Sequence, residues 1–319
     1  MVRWHLWPAI LCLLLLVGCG RTALRSPSAP GTSVPAPAGG RDGVPAFRHV
    51  FIIVMENLGY RAALTLPHVA ALAAQGAIAT DYYAVTHPSL PNYLALTSGR
   101  TLVTSDCTAC LQNVPNLASA AAAAGISWGA YMQGLPRPCF LGAWSLLGLY
   151  AGKHDPFRYY TDVRNDPAQC GRIQPLPVLE AALPRGAVPR LVWITPNLCD
   201  DMHSCPRVIG DRWLGAFVPR ILASPAWRNG GVLFITWDEA AGADTRGCCG
   251  LARGGGHVLT LVFAPGLPAG ERVALPYDHY SLLATVADGL GLPLLGHAAD
   301  PGSQPLAAFW TRARGSGAG

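Results

Sequence analysis

The sequence predicts an α/β sandwich with a central, mostly parallel sheet, and three observations predict it. Short apolar, β-rich runs alternate with longer runs of helical periodicity from residue 47 to about residue 310. Several of the short runs are apolar without a break, among them residues 49–55 (HVFIIVM), 190–195 (RLVWIT) and 231–237 (GVLFITW). Strands covered on both faces read this way, whereas half-solvated strands alternate. Polar clusters also follow these runs directly, and the carboxyl ends of strands are where such sheets keep their sites.

The elements follow in order. Residues 49–55 give the first strand, residues 66–75 a helix closed by Gly76, and residues 77–83 a second strand. A helix is expected over 90–96, a strand over 126–132, a helix over 178–182 and a strand over 190–195. Helical periodicity returns over 211–223. Strong strands are expected over 231–237 and 257–264, then a helix over 280–290 ending near Gly291.

Ahead of this domain, Arg3 precedes an apolar run over 6–17 that suits a signal-peptide core and is short for a membrane span. The run ends in Leu16-Val17-Gly18-Cys19, which resembles a bacterial lipobox. Residues 1–18 are therefore expected to be a lipoprotein signal peptide. Lipid on Cys19 would hold the chain to a membrane outside the cytoplasm, plain secretion being the alternative. Residues 19–46 are rich in Pro, Gly, Ser and Ala and read as a linker. Residues 47–310 form the domain and 311–319 a tail.

Charged residues make up 13% of the chain and the formal charge is +5. The basic residues are dispersed, which argues against nucleic-acid binding. No obligate protein partner is evident. Apart from Cys12 and Cys19, eight cysteines remain: Cys107, Cys110, Cys139, Cys170, Cys199, Cys205, Cys248 and Cys249. An even count in an exported chain predicts disulfides, with zinc at Cys107-x-x-Cys110 the competing possibility. Cys248 and Cys249 are expected to bond to different partners, because a vicinal bridge is strained.

The polar clusters carry the chemistry. Glu56-Asn57 ends the first strand, Asp201-Met202-His203 follows RLVWIT, and Asp238-Glu239 follows GVLFITW. Buried carboxylates are costly unless paired or bound to a metal, and adjacent acids repel without a cation beside them. Ser89 lies in Thr86-His87-Pro88-Ser89-Leu90-Pro91-Asn92 and opens a helix, where free N–H groups favour a phosphate. The bland alternative is an N-cap serine. Asn92 could donate to a phosphoryl oxygen, and Lys153-His154 offers a cation and an imidazole. His257 follows Gly254-Gly255-Gly256, glycines that would let backbone approach a ligand. His279 precedes the helix over 280–290.

Together these segments resemble the bacterial and fungal phosphoesterase family of secreted acid phosphatases and phospholipases C, within the alkaline-phosphatase-like superfamily. The resemblance rests on FIIVMEN (51–57), YYAVTHPSLPNYLALTSG (82–99), YAGKHDPF (150–157), TPNLCDDMH (195–203), ITWDEA (235–240), GGGHV (254–258) and YDHYSLLATV (277–286). It implies an alkaline-phosphatase-like sandwich and metal-assisted phosphomonoester hydrolysis through a phosphoserine at Ser89. His279 and His154 would serve the leaving group. Asn57, Asn92, His203 and Lys153 would contact substrate. Glu56, Ser89, Asp201, Asp238, Glu239 and His257 would hold a divalent ion: zinc, calcium, magnesium or manganese. The alternatives are a phospholipase C-type phosphodiesterase and a non-catalytic lipoprotein that binds phosphorylated ligands. A sulfatase-like activity is disfavoured because Ser89-Leu90-Pro91-Asn92-Tyr93 lacks the arginine of that motif.

Overall fold

A computed structural model describes Met1, residues 40–146 and residues 149–315, the last without the side chains of 312–315. The expected signal peptide, Cys19 and most of the expected linker lie outside the described residues. No helix among the described residues is long and apolar enough to cross a membrane.

Among the described residues, eight strands form one sheet. They are β1 (His49–Met55), β2 (Ala77–Tyr83), β3 (Trp128–Met132), β4 (Ile173–Pro175), β5 (Leu191–Thr195), β6 (Gly231–Trp237), β7 (Thr260–Phe263) and β8 (Arg272–Asp278). Their order is β4-β3-β5-β1-β6-β7-β2-β8. Only β7 runs against its neighbours, β6 and β2. The sheet is thus mostly parallel, as the unbroken apolar runs predicted. Val50, Ile52, Ile53 and Val54 of β1 are all buried, as β-branched residues in a central strand should be.

Strand order explains the site. β5, β1 and β6 lie side by side and parallel, with Ile53 opposite both Ile194 and Ile235. Their carboxyl ends therefore open onto one crevice, although Glu56, Asp201 and Asp238 are far apart in the chain.

The helix Ser89–Ser98 is buried along its whole length and stops at Gly99, whose φ of 70° supplies the left-handed turn. Other long helices are Pro67–Gln75, Val208–Leu222 and His279–Leu290. The expected strand over 257–264 is shorter, because its first residues make only single bridges, Gly59 to Val258 and Tyr83 to His257. β4 and β8 were not anticipated. β4 has three residues, and β8 carries Pro276 and four exposed side chains, so neither has an apolar run to announce it. A helix over Ala308–Gly315 runs from the end of the expected domain into the expected tail.

Among the described residues four disulfides are formed: Cys107–Cys110, Cys139–Cys170, Cys199–Cys205 and Cys248–Cys249. The expectation that Cys248 and Cys249 bond apart is overturned. The other six cysteines pair among themselves and leave only the neighbours for each other. The Cys107-x-x-Cys110 spacing serves a bridge, not zinc.

Candidate active site

Glu56 follows β1 and is fully buried. Its backbone N–H donates to Asp201 O at 2.9 Å, which ties the ends of β1 and β5 together. Asn57 follows at φ +52°, a left-handed conformation that asparagine tolerates. The turn lets Asn57 N donate to Asp238 Oδ1 at 3.0 Å while its Nδ2 donates to Glu56 Oε2 at 2.9 Å.

Ser89 is the first residue of its helix, after a cis His87–Pro88 bond. It is not the N-cap. Pro88 holds that position without a capping bond, and the Leu90 N–H is taken by Asp106 Oδ1 at 3.0 Å. The serine hydroxyl is therefore free for other work. It donates to Glu56 Oε2 at 3.0 Å and lies 3.5 Å from Glu239 Oε1. His87 Nδ1 sits 2.6 Å from Glu239 Oε2 and its Nε2 2.9 Å from Asp244 O, so this imidazole braces Glu239.

Four carboxylates, from Glu56, Asp201, Asp238 and Glu239, are buried together. Burial, then the mutual repulsion of Glu56 with Asp238 and Asp201, pushes the Glu56 carboxyl well above its usual range. Burial pushes Asp238 and Asp201 each up to about 7. Burial and then Asp238 push Glu239 up to about 9. Burial alone would lower Lys153, but its bond to Asp106 and the charges of Glu56 and Asp238 outweigh this and raise it.

His154 joins the group from the turn Gly152–His154. Its Nε2 is 3.0 Å from Glu56 Oε1 and its Nδ1 3.3 Å from Asp201 Oδ2. Burial holds its pKa well below the ordinary value, so it is neutral there. Tyr93, one turn beyond Ser89, stacks on it with centroids 5.4 Å apart.

A cation fits this donor set. Glu56 Oε1, Asp201 Oδ2, Asp238 Oδ2 and His154 Nε2 are buried and have no aligned hydrogen-bond partner. Orphaned buried acceptors of this kind are rare, because each costs about 1–3 kcal/mol and more when charged. Ligand atoms of Glu56, His154 and His203 also lie within 4.8 Å of one another.

Three expected site residues are placed otherwise. His257 is not among the carboxylates. Its chain runs back along β2, where its Nε2 meets Thr80 O at 3.0 Å and its ring stacks on Tyr60 at 4.5 Å. His279 does lie beside Asp238, but it cannot serve a leaving group. It is fully buried, its Nε2 is 2.6 Å from Asp238 O and its Nδ1 is 3.1 Å from Tyr82 OH. The carbonyl requires an N–H at Nε2, so Nδ1 accepts from tyrosine and the ring stays neutral. Burial lowers its pKa to about 4. Asn92 has no donor left for substrate. Its Oδ1 accepts from Val85 N and Thr86 N, and its Nδ2 donates to Thr86 O and Pro88 O.

The glycine run also packs differently from expectation. A Cβ on Gly255 would lie 2.1 Å from Thr86 O, and one on Gly254 would lie 2.6 Å from Ala84 O. These glycines let the chain press against the loop before Ser89, not against a ligand. Gly255 also accepts from Ala240 N at 2.8 Å, so the run clamps the Ser89 loop to the Asp238-Glu239 loop.

Asp106 and His87 were missed from sequence. His87 lies inside a quoted motif, yet nothing there shows that it faces Glu239. Asp106 sits in a loop without periodicity.

The Phosphoesterase family model matches residues 48–293. An acid phosphatase of Aspergillus fumigatus is 28% identical over 82% of this chain, and a probable acid phosphatase of Kluyveromyces lactis 30% over 79%. The matches span only 58% and 60% of those two proteins' own lengths. A phosphatidylinositol-3-phosphatase of Mycobacterium tuberculosis is 31% identical over 84% of each chain. Among solved structures, an alkaline phosphatase superfamily protein of Vibrio parahaemolyticus has a TM-score of 0.54 at 14% identity, covering 81% of this chain and 71% of its own. The lipoteichoic acid synthase LtaP of Listeria monocytogenes scores 0.51 at 10% identity, covering 79% and 74%. At these identities the structural matches show a common fold alone.

Proposed function

This chain belongs to the Phosphoesterase family, and from that premise we propose that it hydrolyses phosphomonoesters through a phosphoserine formed at Ser89. The observation that carries the reading is a serine hydroxyl, unspent as a cap, 3.0 Å from Glu56 Oε2 amid four buried carboxylates. A pure phosphate binder has no use for that concentration of negative charge.

Glu56, Asp201, Asp238, Glu239 and His154 would hold a divalent cation, with His203 at its edge. When bound, the ion offsets charge on the phosphoryl oxygens and on the serine oxygen. Ser89 Oγ attacks phosphorus as its proton passes to the Glu56 carboxylate that already accepts it. The bond from phosphorus to the ester oxygen breaks. Lys153, held protonated by Asp106, offsets charge on the phosphoryl group. The proton taken up by Glu56 passes on to the leaving oxygen, at the edge of the site that His203 leaves open to solvent. Water then cleaves the phosphoserine and regenerates Ser89.

The phosphatase names of the matched relatives support a monoester over a diester. The disulfides are consistent with an exported chain. Anchoring through lipid on Cys19 remains part of the proposal.

Acid quenching during turnover of an aryl phosphate should trap phosphate on the peptide carrying Ser89. Ser89→Ala should show neither label nor turnover while keeping its melting temperature. Full turnover by that variant would remove Ser89 from the mechanism.

A further inference from the structure

A second cavity begins where the Ser89 site ends. It holds about 280 Å³ and is lined by Asp106, Cys107, Thr108, Ala143, Trp144 and Lys153. Two of these residues belong to both places. Lys153 Nζ donates to Asp106 Oδ2 at 2.8 Å, and Asp106 Oδ1 accepts the N–H of Leu90, next to Ser89.

The walls are fixed from beneath. Arg158, 3% exposed, donates to Thr108 O at 3.2 Å and to Leu141 O, which joins one wall to the segment leading into the other. Tyr159 OH donates to Cys107 O at 2.6 Å, and the Cys107–Cys110 bridge closes that rim. On the far side, Trp144 pairs with Ala151 in an antiparallel bridge, two residues before Lys153. The Trp144 backbone is thus fixed while its side chain stands out. The residue is 54% exposed, and its indole has no ring or hydrogen-bond partner among the described residues. An indole left half in water at the rim of a polar site is an unused aromatic surface.

We propose that this cavity is a leaving-group subsite that favours phosphomonoesters of aromatic alcohols over those of small polar alcohols. The proposal rests on the phosphoesterase reading of the Ser89 site. With phosphorus at Ser89, a flat ring lies against Trp144 and Ala143, and the Lys153 ammonium sits between ring and phosphoryl group. The volume lies just under the smallest ordinary ligand pockets, of about 300 Å³, and suits one or two rings. Because ring and phosphoryl group bind at different places, Trp144 governs discrimination between esters and leaves the bond-breaking groups untouched.

Trp144→Ala and Trp144→Phe should be compared with the unaltered chain on 1-naphthyl phosphate and glycerol 3-phosphate. For Trp144→Ala, kcat/KM should fall roughly tenfold on the naphthyl ester, equivalent to about 1.4 kcal/mol. It should hold within about twofold on the glycerol ester, and Trp144→Phe should recover most of the loss. Equal losses on both esters, or no loss on either, would overturn the subsite. Binding separates this inference from the one beneath it. In Ser89→Ala protein, adding Trp144→Ala should weaken 1-naphthylphosphonate roughly tenfold and leave methylphosphonate unchanged. If the unaltered chain turned over neither ester, the phosphoesterase reading would fail, and the phosphonate titration would still decide the subsite. Equal phosphonate affinities with and without Trp144 would reject it.

Discussion

Two polar regions lie close together in this molecule and differ in one respect. Around Glu56, Asp201, Asp238 and His154, buried acceptors and an imidazole nitrogen point at one another without aligned partners. Around Gly254–His257, each polar group named here is answered: Gly254 N by Thr245 O, Gly255 N by Ala84 O, His257 N by Asp244 Oδ2 and His257 Nε2 by Thr80 O. Both regions draw notice in the sequence as polar residues at strand ends: Glu56, Asp201 and Asp238 follow strands, while Gly254-Gly255-Gly256 and His257 lead into one. Satisfaction of the polar groups, not their identity, separates chemistry from scaffold.

The largest effect should come from the unsatisfied side. Glu56→Gln should lower kcat/KM roughly a thousandfold. In chelator at pH 8 its melting temperature should match or exceed that of the unaltered chain, since one of several repelling charges is gone. A clear loss of stability there would mean that Glu56 is a structural acid.

His279 tests the boundary between the regions, because it is satisfied but touches Asp238. His279→Gln should cost roughly 10–100-fold in activity, the usual scale for a residue that orients a ligand. The shape of the pH profile should not change. Loss of one limb of that profile would restore His279 as a proton donor.

A smaller effect should appear in stability against pH. Asp201 and Asp238 are raised to about 7 and Glu239 to about 9 in the folded chain, against ordinary carboxyl values near about 4 when unfolded. As pH climbs, the unfolded chain loses these protons first, so metal-free protein should lose stability progressively from about pH 4 to about pH 9. A divalent ion should offset that loss and raise the melting temperature more at pH 8 than at pH 5. A chelator-treated protein equally stable at both values would contradict the buried-charge account.

The smallest effect belongs to His257. His257→Phe keeps the stack on Tyr60 and should change kcat/KM by no more than about twofold. A thousandfold loss would return His257 to the centre and erase the contrast.

The sequence made much of this legible, for reasons that differ by element. β1, β5 and β6 announced themselves because both faces are covered, and their adjacent carboxyl ends made Glu56, Asp201 and Asp238 readable as a group. Ser89 was readable because it stands between Pro88 and Pro91 at a helix start. His257, His279 and Asn92 were misplaced because residue type cannot reveal which nitrogen is already occupied. Asp106 and Trp144 escaped notice because irregular segments carry no period from which a facing direction could be deduced.

The cross-links have a further consequence. Three of the four enclose very short stretches, with sequence separations of 3, 6 and 1, and only Cys139–Cys170 spans as many as 31. Closing so few residues removes little freedom from an unfolded chain. Cys199–Cys205, however, brackets Asp201 and His203, and Cys107 follows directly on Asp106. Replacing Cys199 and Cys205 together by serine should therefore blunt turnover while leaving the sheet's melting almost unaltered. That bridge shapes the mouth of the crevice and does little to hold the protein together.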